Sequence, residues 1–211
     1  MALTDNFDRA NGALGANWTK EVSGGATTVA IVSNEIELDT AWCDPNTQRH
    51  IYVYNAAQPP NDCYSQIAAS GGDASASTDM GPVLRFTSGG NGSGYAYRCV
   101  FDGSSQLQRW DAGVATNIGN WDAAGVTTAS VLKITATGTV VAGLVDGVAQ
   151  CSAIDATYAS GYAGFAYRSY RAAANLGELD NWEATEPVAA GQPTIKRFGG
   201  LPHVAVNRGV W

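Results

Sequence analysis

Three carboxylates spaced by two offer the most chemistry in this chain. In the run from Asn34 to Thr40, Glu35, Glu37 and Asp39 share one face of a strand, since side chains two apart point the same way. Two carboxyl groups about 5 Å apart can serve a retaining glycosidase as acid and nucleophile. The same spacing also describes a solvated face behind which Ile36 and Leu38 fill a core. We adopt that second reading and assign no catalytic residue. His50 and His203 have no Ser, Asp or Cys partner at a motif spacing and are expected at a surface or an interface.

Cys43, Cys63, Cys99 and Cys151 are 20, 36 and 52 residues apart, which fits no zinc motif; buried free thiols are expected. No phosphate-cradling glycine motif opens a helix, so no cofactor is assigned. Aromatic rings can stack on sugars, and Trp42, Tyr52, Tyr54, Trp110 and Trp121 are the candidates. Trp110 and Trp121 flank a Gly/Asn turn region and are expected to be exposed. They form the carbohydrate-binding pair of an alternative reading.

These side chains must be positioned by strands. Residues 1–186 show period-two alternation broken by Gly, Asn, Asp and Ser clusters, and no helical period lasts three turns. An all-β body is expected. Its clearest strands include Cys63 to Ser70, the runs beginning at Gly81 and Tyr95, and those from Ser130 to Gly147, at Tyr162 and at Glu178. Asp146-Gly147 between apolar residues predicts a tight type I′ hairpin. Residues 70–81 and 87–94 read as exposed glycine-rich loops. The stretch from Ala41 to Cys63, with Pro45, Pro59 and Pro60, reads as a packed excursion over one edge of the body.

The 211 residues carry a net charge of −7, with all 19 acidic residues and nine of the 12 basic ones before residue 187. An acidic body with scattered basic residues argues against a nucleic-acid partner. No run approaches the roughly 18 apolar residues of a membrane span. The N-terminus lacks a charged and then apolar leader, which points to synthesis in a cytoplasm.

The succession Asp5/Phe7, then Leu132/Ile134/Val145/Asp146/Gly147, Gly161/Gly164/Phe165 and Asp180/Asn181/Trp182 resembles the concanavalin A-like jelly-roll superfamily of laminin-G-like domains, legume lectins and laminarinase-type glucanases. The resemblance implies a two-sheet antiparallel sandwich over residues 1–186, with the first strand near the last. The glucanase branch carries Glu-x-Asp-x-Glu or Glu-x-Asp-x-x-Glu beneath its cleft. Here the order is Glu-x-Glu-x-Asp on an early strand, a departure that removes support for catalysis. Some members hold calcium with loop carboxylates, and Asp62, Asp73 and Asp79 are loop positions in this reading; no metal site is assigned.

From residue 187 the pattern changes to a Pro/Gly-punctuated segment of charge +3 that retains Ile195, Phe198, Leu201, Val204, Val206, Val210 and Trp211. Such side chains gain roughly 1.5–3 kcal/mol each on full burial. Residues 187–211 are therefore expected to form an extended C-terminal arm, binding a partner through Lys196, Arg197, Phe198, Leu201, His203, Arg208 and Trp211. The ending resembles C-terminal tails of tailed-bacteriophage virion proteins. That resemblance implies a non-enzymatic capsid decoration or cement protein, virion-located, partnered by the major capsid protein or other virion proteins. A homo-oligomer and a glycan are the further partner candidates. The alternative is a carbohydrate-binding module on a fibre or baseplate.

Overall fold

The computed structural model describes residues 2–22, 29–38, 50–71, 78–90, 92–100, 105–121, 126–169 and 178–186. Sixteen strands are described, and among the described residues there is no helix. They form two antiparallel sheets packed as a jelly-roll sandwich.

The first sheet runs β14 (Val148–Ile154), β13 (Val140–Val145), β12 (Val131–Thr137), β7 (Cys63–Gly71), β16 (Glu178–Thr185), β5 (Glu35–Leu38), β4 (Val29–Val32), β2 (Gly12–Ala13). β1 (Leu3–Asp5) pairs with the second half of β16, placing Asp5 opposite Trp182, so the opening and closing motifs meet. The second sheet runs β11 (Val114–Trp121), β10 (Ser105–Asp111), β9 (Gly94–Val100), β8 (Thr78–Phe86), β15 (Tyr162–Ser169), β6 (His50–Tyr54), β3 (Trp18–Val22).

Alternation explains the packing. In β12 and β13, Leu132, Ile134, Ala136, Val141 and Val145 point between the sheets and are buried, while Lys133 and Ala142 point out. Phe7, Trp18, Tyr52, Tyr54, Phe165 and Trp182 close one side of that core as a ring cluster with centroids 5.0–6.4 Å apart. Asp5 fixes the cluster's rim. Burial would raise its carboxyl, but bonds from Arg9, from the Trp18 indole (2.8 Å) and from the Phe7 amide outweigh that and lower it. Asp146 and Gly147 both have positive φ, 52° and 79°, as the predicted hairpin requires.

Four expectations are corrected. His50 to Tyr54, placed in an edge excursion, is an interior strand between β15 and β3, because its apolar residues serve both faces of the sheet. His50, expected at a surface, is fully buried, and burial followed by the charge of Lys20 lowers its pKa to about 4. Asp79 is not a loop carboxylate: it lies in β8, fully buried, bonded to Arg98 (2.7 Å) and Arg168 (2.5 Å). Trp110, expected exposed, is 4% exposed and packs with Val22, Val83, Phe86 and Ala96. Cys63, Cys99 and Cys151 are free thiols; burial pushes Cys63 up to about 11. Trp42, Asp39, Cys43 and Asp73 lie outside the described residues, as do Lys196, Arg197, Phe198, Leu201, His203, Arg208 and Trp211.

Candidate ligand pocket at one end of the sandwich

At the end of the sandwich where β8 and β6 finish and β7 and β15 begin, one side chain ties the connections together. Arg85 sits at φ 52°, next to a register shift between β8 and β15, so it leaves the alternation of its strand. Gly94 and Gly161, on the neighbouring strand β9 and just before β15, let this bulge fit. A Cβ on Gly161 would lie 2.5 Å from the Arg85 carbonyl carbon, and one on Gly94 would lie 2.6 Å from the Phe86 ring. Both glycines also have positive φ.

The Arg85 side chain is 2% exposed. Its Nε and Nη2 donate to the Asn61 carbonyl at 3.1 and 2.7 Å, and its Nη1 donates to the carbonyls of Gly138 (3.0 Å) and Tyr158 (3.1 Å). The Asp62 carboxylate stands 3.7 Å away and accepts the Gly138 N–H at 2.8 Å. A buried guanidinium must satisfy its donors. Here it does so with carbonyls from three separate connections: β6–β7, β12–β13 and β14–β15.

Tyr158 is held from three directions. Its N–H donates to the Tyr95 hydroxyl (3.2 Å), its own hydroxyl donates to Asp111 (2.6 Å), and its carbonyl accepts from Arg85. Its ring meets Tyr95 edge-on at 5.7 Å. Beyond it, Arg109 bridges Asp111 and Asp155, 2.9 Å from each. Burial acts to raise Asp155, but bonds from Thr157, Arg109 and Tyr95 prevail and hold it at about 2. The bond from Tyr158, then that from Arg109, lowers Asp111.

This frame borders an open pocket of about 320 Å³ over Arg85. Asn61, Asp62 and Thr139 present polar groups, Tyr158 presents a ring, and Ala156 and Ala159 present apolar surface. Asp62 is 58% exposed, and among the described residues its contacts are made through Oδ1. The volume suits a small ligand, and the mixture of carboxylate, amide, hydroxyl and ring suits a polyol with apolar C–H faces. Larger spaces exist. One of about 600 Å³ opens between the edges of the two sheets at β2, β3 and β4, lined largely by core side chains, and one of about 480 Å³ lies at β1 and the bulge of β16. The second carries the polar side chains of Thr4, Asp5, Asn6, Asn181 and Glu183, but its ring, Trp182, is 1% exposed and belongs to the core, whereas the pocket over Arg85 offers the part-exposed ring of Tyr158.

Of the stacking candidates, Tyr52 lies flat on Phe165 at 5.5 Å and Tyr54 packs on Trp18 and Trp182, so both are core. Trp121 ends β11 opposite Ser105, with its side chain outside the described residues. Sequence reasoning missed Arg85, Tyr158 and the pairing of Asn61 with Asp62 in one pocket. A positive-φ bulge near the end of a strand leaves no signal in residue type.

Glu35 and Glu37 flank buried Ile36 on β5, as expected, but they do not face solvent alone. Glu178 of β16 joins them: its hydrogen bond with Glu35, then burial, raises it to about 7. In β16 and β7, Glu178 lies opposite Gly71 and Thr185 opposite Tyr64, so this cluster and the pocket sit at opposite ends of the first sheet.

No family model and no curated protein sequence matches this chain. Solved structures do. A carbohydrate-binding module, CBM66 from Bacillus subtilis, superposes with TM-score 0.59 at 15% identity, over 82% of this chain and 96% of that one. A β-1,3-1,4-glucanase (lichenase) derived from a mouse hindgut metagenome gives TM-score 0.57 at 11% identity, over 89% and 99%. The exoplasmic/lumenal domain of VIP36, in a Ca2+/Man3GlcNAc-bound form, gives 0.56 at 9% identity, over 84% and 86%. The fold is therefore the concanavalin A-like jelly roll, shared by proteins that bind sugars and proteins that cleave them.

Proposed function

We propose that this chain is a non-catalytic carbohydrate-binding module whose site is the pocket over Arg85. The observation that carries the reading is the clamped Tyr158 beside half-free Asp62: a ring fixed before any ligand arrives loses little entropy on binding. Asp62, Asn61 and Thr139 would take sugar hydroxyls, and Tyr158 would take a C–H face. Structural neighbours named as a carbohydrate-binding module, as a carbohydrate recognition domain and as a domain in a Man3GlcNAc-bound form agree with this reading. Binding without turnover is favoured because Glu35 and Glu178 are engaged with each other. They also lie at the far end from the pocket.

A glycan array followed by titration calorimetry on the full chain tests the proposal. Asp62→Ala is expected to weaken binding at least tenfold, about 1.4 kcal/mol, in a chain that keeps its β-sheet circular dichroism. Unchanged affinity in Asp62→Ala, or turnover that disappears in Glu35→Gln, would overturn it. Attachment to a virion through the arm is a separate proposal that rests on the sequence of residues 187–211 alone.

A further inference from the structure

The charges around the pocket over Arg85 are arranged unequally, and the arrangement selects among sugars. Its buried cation is already occupied. Arg85 donates to the carbonyls of Asn61, Gly138 and Tyr158 through Nε, Nη1 and Nη2, and Nη2 also stands 3.7 Å from the Asp62 carboxylate. A guanidinium has five N–H groups, so these partners account for all of them. With its side chain buried beneath the pocket floor, Arg85 has no donor left for an anionic ligand.

Asp62 is the opposite case. Its Oδ1 accepts the Gly138 N–H at 2.8 Å, which fixes the carboxylate, while Oδ2 makes no contact among the described residues. On the far side of the pocket, Tyr158 donates to Asp111, and Arg109 lies between Asp111 and Asp155 at 2.9 Å from each. Among the described residues of this frame, three carboxylates therefore stand against two guanidiniums. The uncompensated negative charge is the one that Asp62 presents beside the ring of Tyr158. The face of such a ring attracts a cation as well as C–H groups.

We infer that the ligand of this pocket is a sugar unit with a free amino group, a hexosamine without its N-acetyl group, whose ammonium meets Asp62 while its ring faces Tyr158. The inference rests on the carbohydrate-binding reading and adds to it the sign of the ligand's charge. A neutral sugar can use Asn61 and Thr139 equally well but brings no cation to Asp62. A uronic acid sets a second carboxylate against Asp62 with Arg85 closed to it. Acetylation of the amine removes the charge that the site selects.

Titration calorimetry on the full chain tests this with gluco- and galacto-configured trisaccharides, each in neutral, amino and uronic acid forms. In one of the two series the amino form is expected to bind about fivefold tighter than the neutral form, and the uronic acid form at least about fivefold weaker. Raising the salt concentration is expected to weaken the amino form and leave the neutral form unchanged. Asp62→Asn is expected to bring the three affinities together; the readout is their ratio, which holds even where absolute affinity falls. Binding that Asp62→Ala weakens but that shows no preference for the amino form overturns this inference and leaves the carbohydrate-binding reading standing. A preference that persists in Asp62→Asn, or that is indifferent to salt, overturns it too. If neither series binds in any form, the carbohydrate-binding reading fails and the inference fails with it.

Discussion

Arg85 shows how one residue outside the alternation can organise a site. Its backbone occupies a region that costs a non-glycine residue roughly 1–2 kcal/mol, and its guanidinium is buried with only a 3.7 Å approach from a carboxylate. Both costs are offset by four hydrogen bonds to carbonyls of three connections. Removing the side chain leaves those carbonyls in place without donors. Arg85→Ala is therefore expected to destabilise the fold by about 2–4 kcal/mol in urea unfolding and to abolish ligand binding. Arg85→Lys, a point cation that cannot reach all three carbonyls at once, is expected to fall between. A midpoint unchanged in Arg85→Ala would mean that the connections hold their shape without it.

At the scale of elements, the seam between β5 and β16 is thin: among the described residues Leu179 and Ile36 are the one pair, and Glu35, Glu37 and Glu178 crowd beside them. The Glu35–Glu178 bond needs one proton. Because the folded-state pKa of Glu178, about 7, lies above its ordinary 4.5, its stabilisation is fully present below pH 4.5 and is lost as pH rises to about 7. His50 acts in the opposite sense. Lowered to about 4 from 6.5, it resists the proton that the unfolded chain accepts, so its share of stability is full above pH 6.5 and is lost as pH falls toward 4. Glu178→Gln is expected to match wild type near pH 4.5 and to exceed it in denaturant midpoint at pH 7.5. Superimposable stability profiles from pH 4 to 8 would show that the pair shares no proton. These same elements mark what was legible in sequence. While the contact of first and last strands rests on the resemblance to the jelly-roll superfamily, the hairpin at Asp146-Gly147 and Ile36 behind Glu35 and Glu37 follow from local pattern and residue type. The partnership of Glu178 with Glu35 does not, because it depends on which strand lies beside which across 143 positions of sequence. Likewise β6 was hidden: a five-residue interior strand, apolar on both faces, has no alternation to betray it.

For the whole molecule, the question is whether the body stands without its last 25 residues. The main core is continuous from Leu3 to Ala184, drawing on both sheets, and the last strand ends at Thr185 with β1 already paired beside it. Every group assigned to the pocket lies between Asn61 and Ala159. A chain ending at Glu186 is therefore expected to keep its β-sheet circular dichroism, to unfold cooperatively, and to bind glycan with the affinity of the full chain. One feature could defeat this. On the outer face of the second sheet, Ile51, Val53, Val83, Ala96 and Ala166 are at most 2% exposed, although all described strands belong to the two sheets and none lies over that face. If the truncated chain binds a fluorescent probe of apolar surface and loses several degrees of thermal midpoint, then residues 187–211 shield that face and belong to the fold. If midpoint and probe signal match the full chain, the arm is free to serve another surface, and co-sedimentation of both forms with virions lacking the protein will show whether that surface is a capsid.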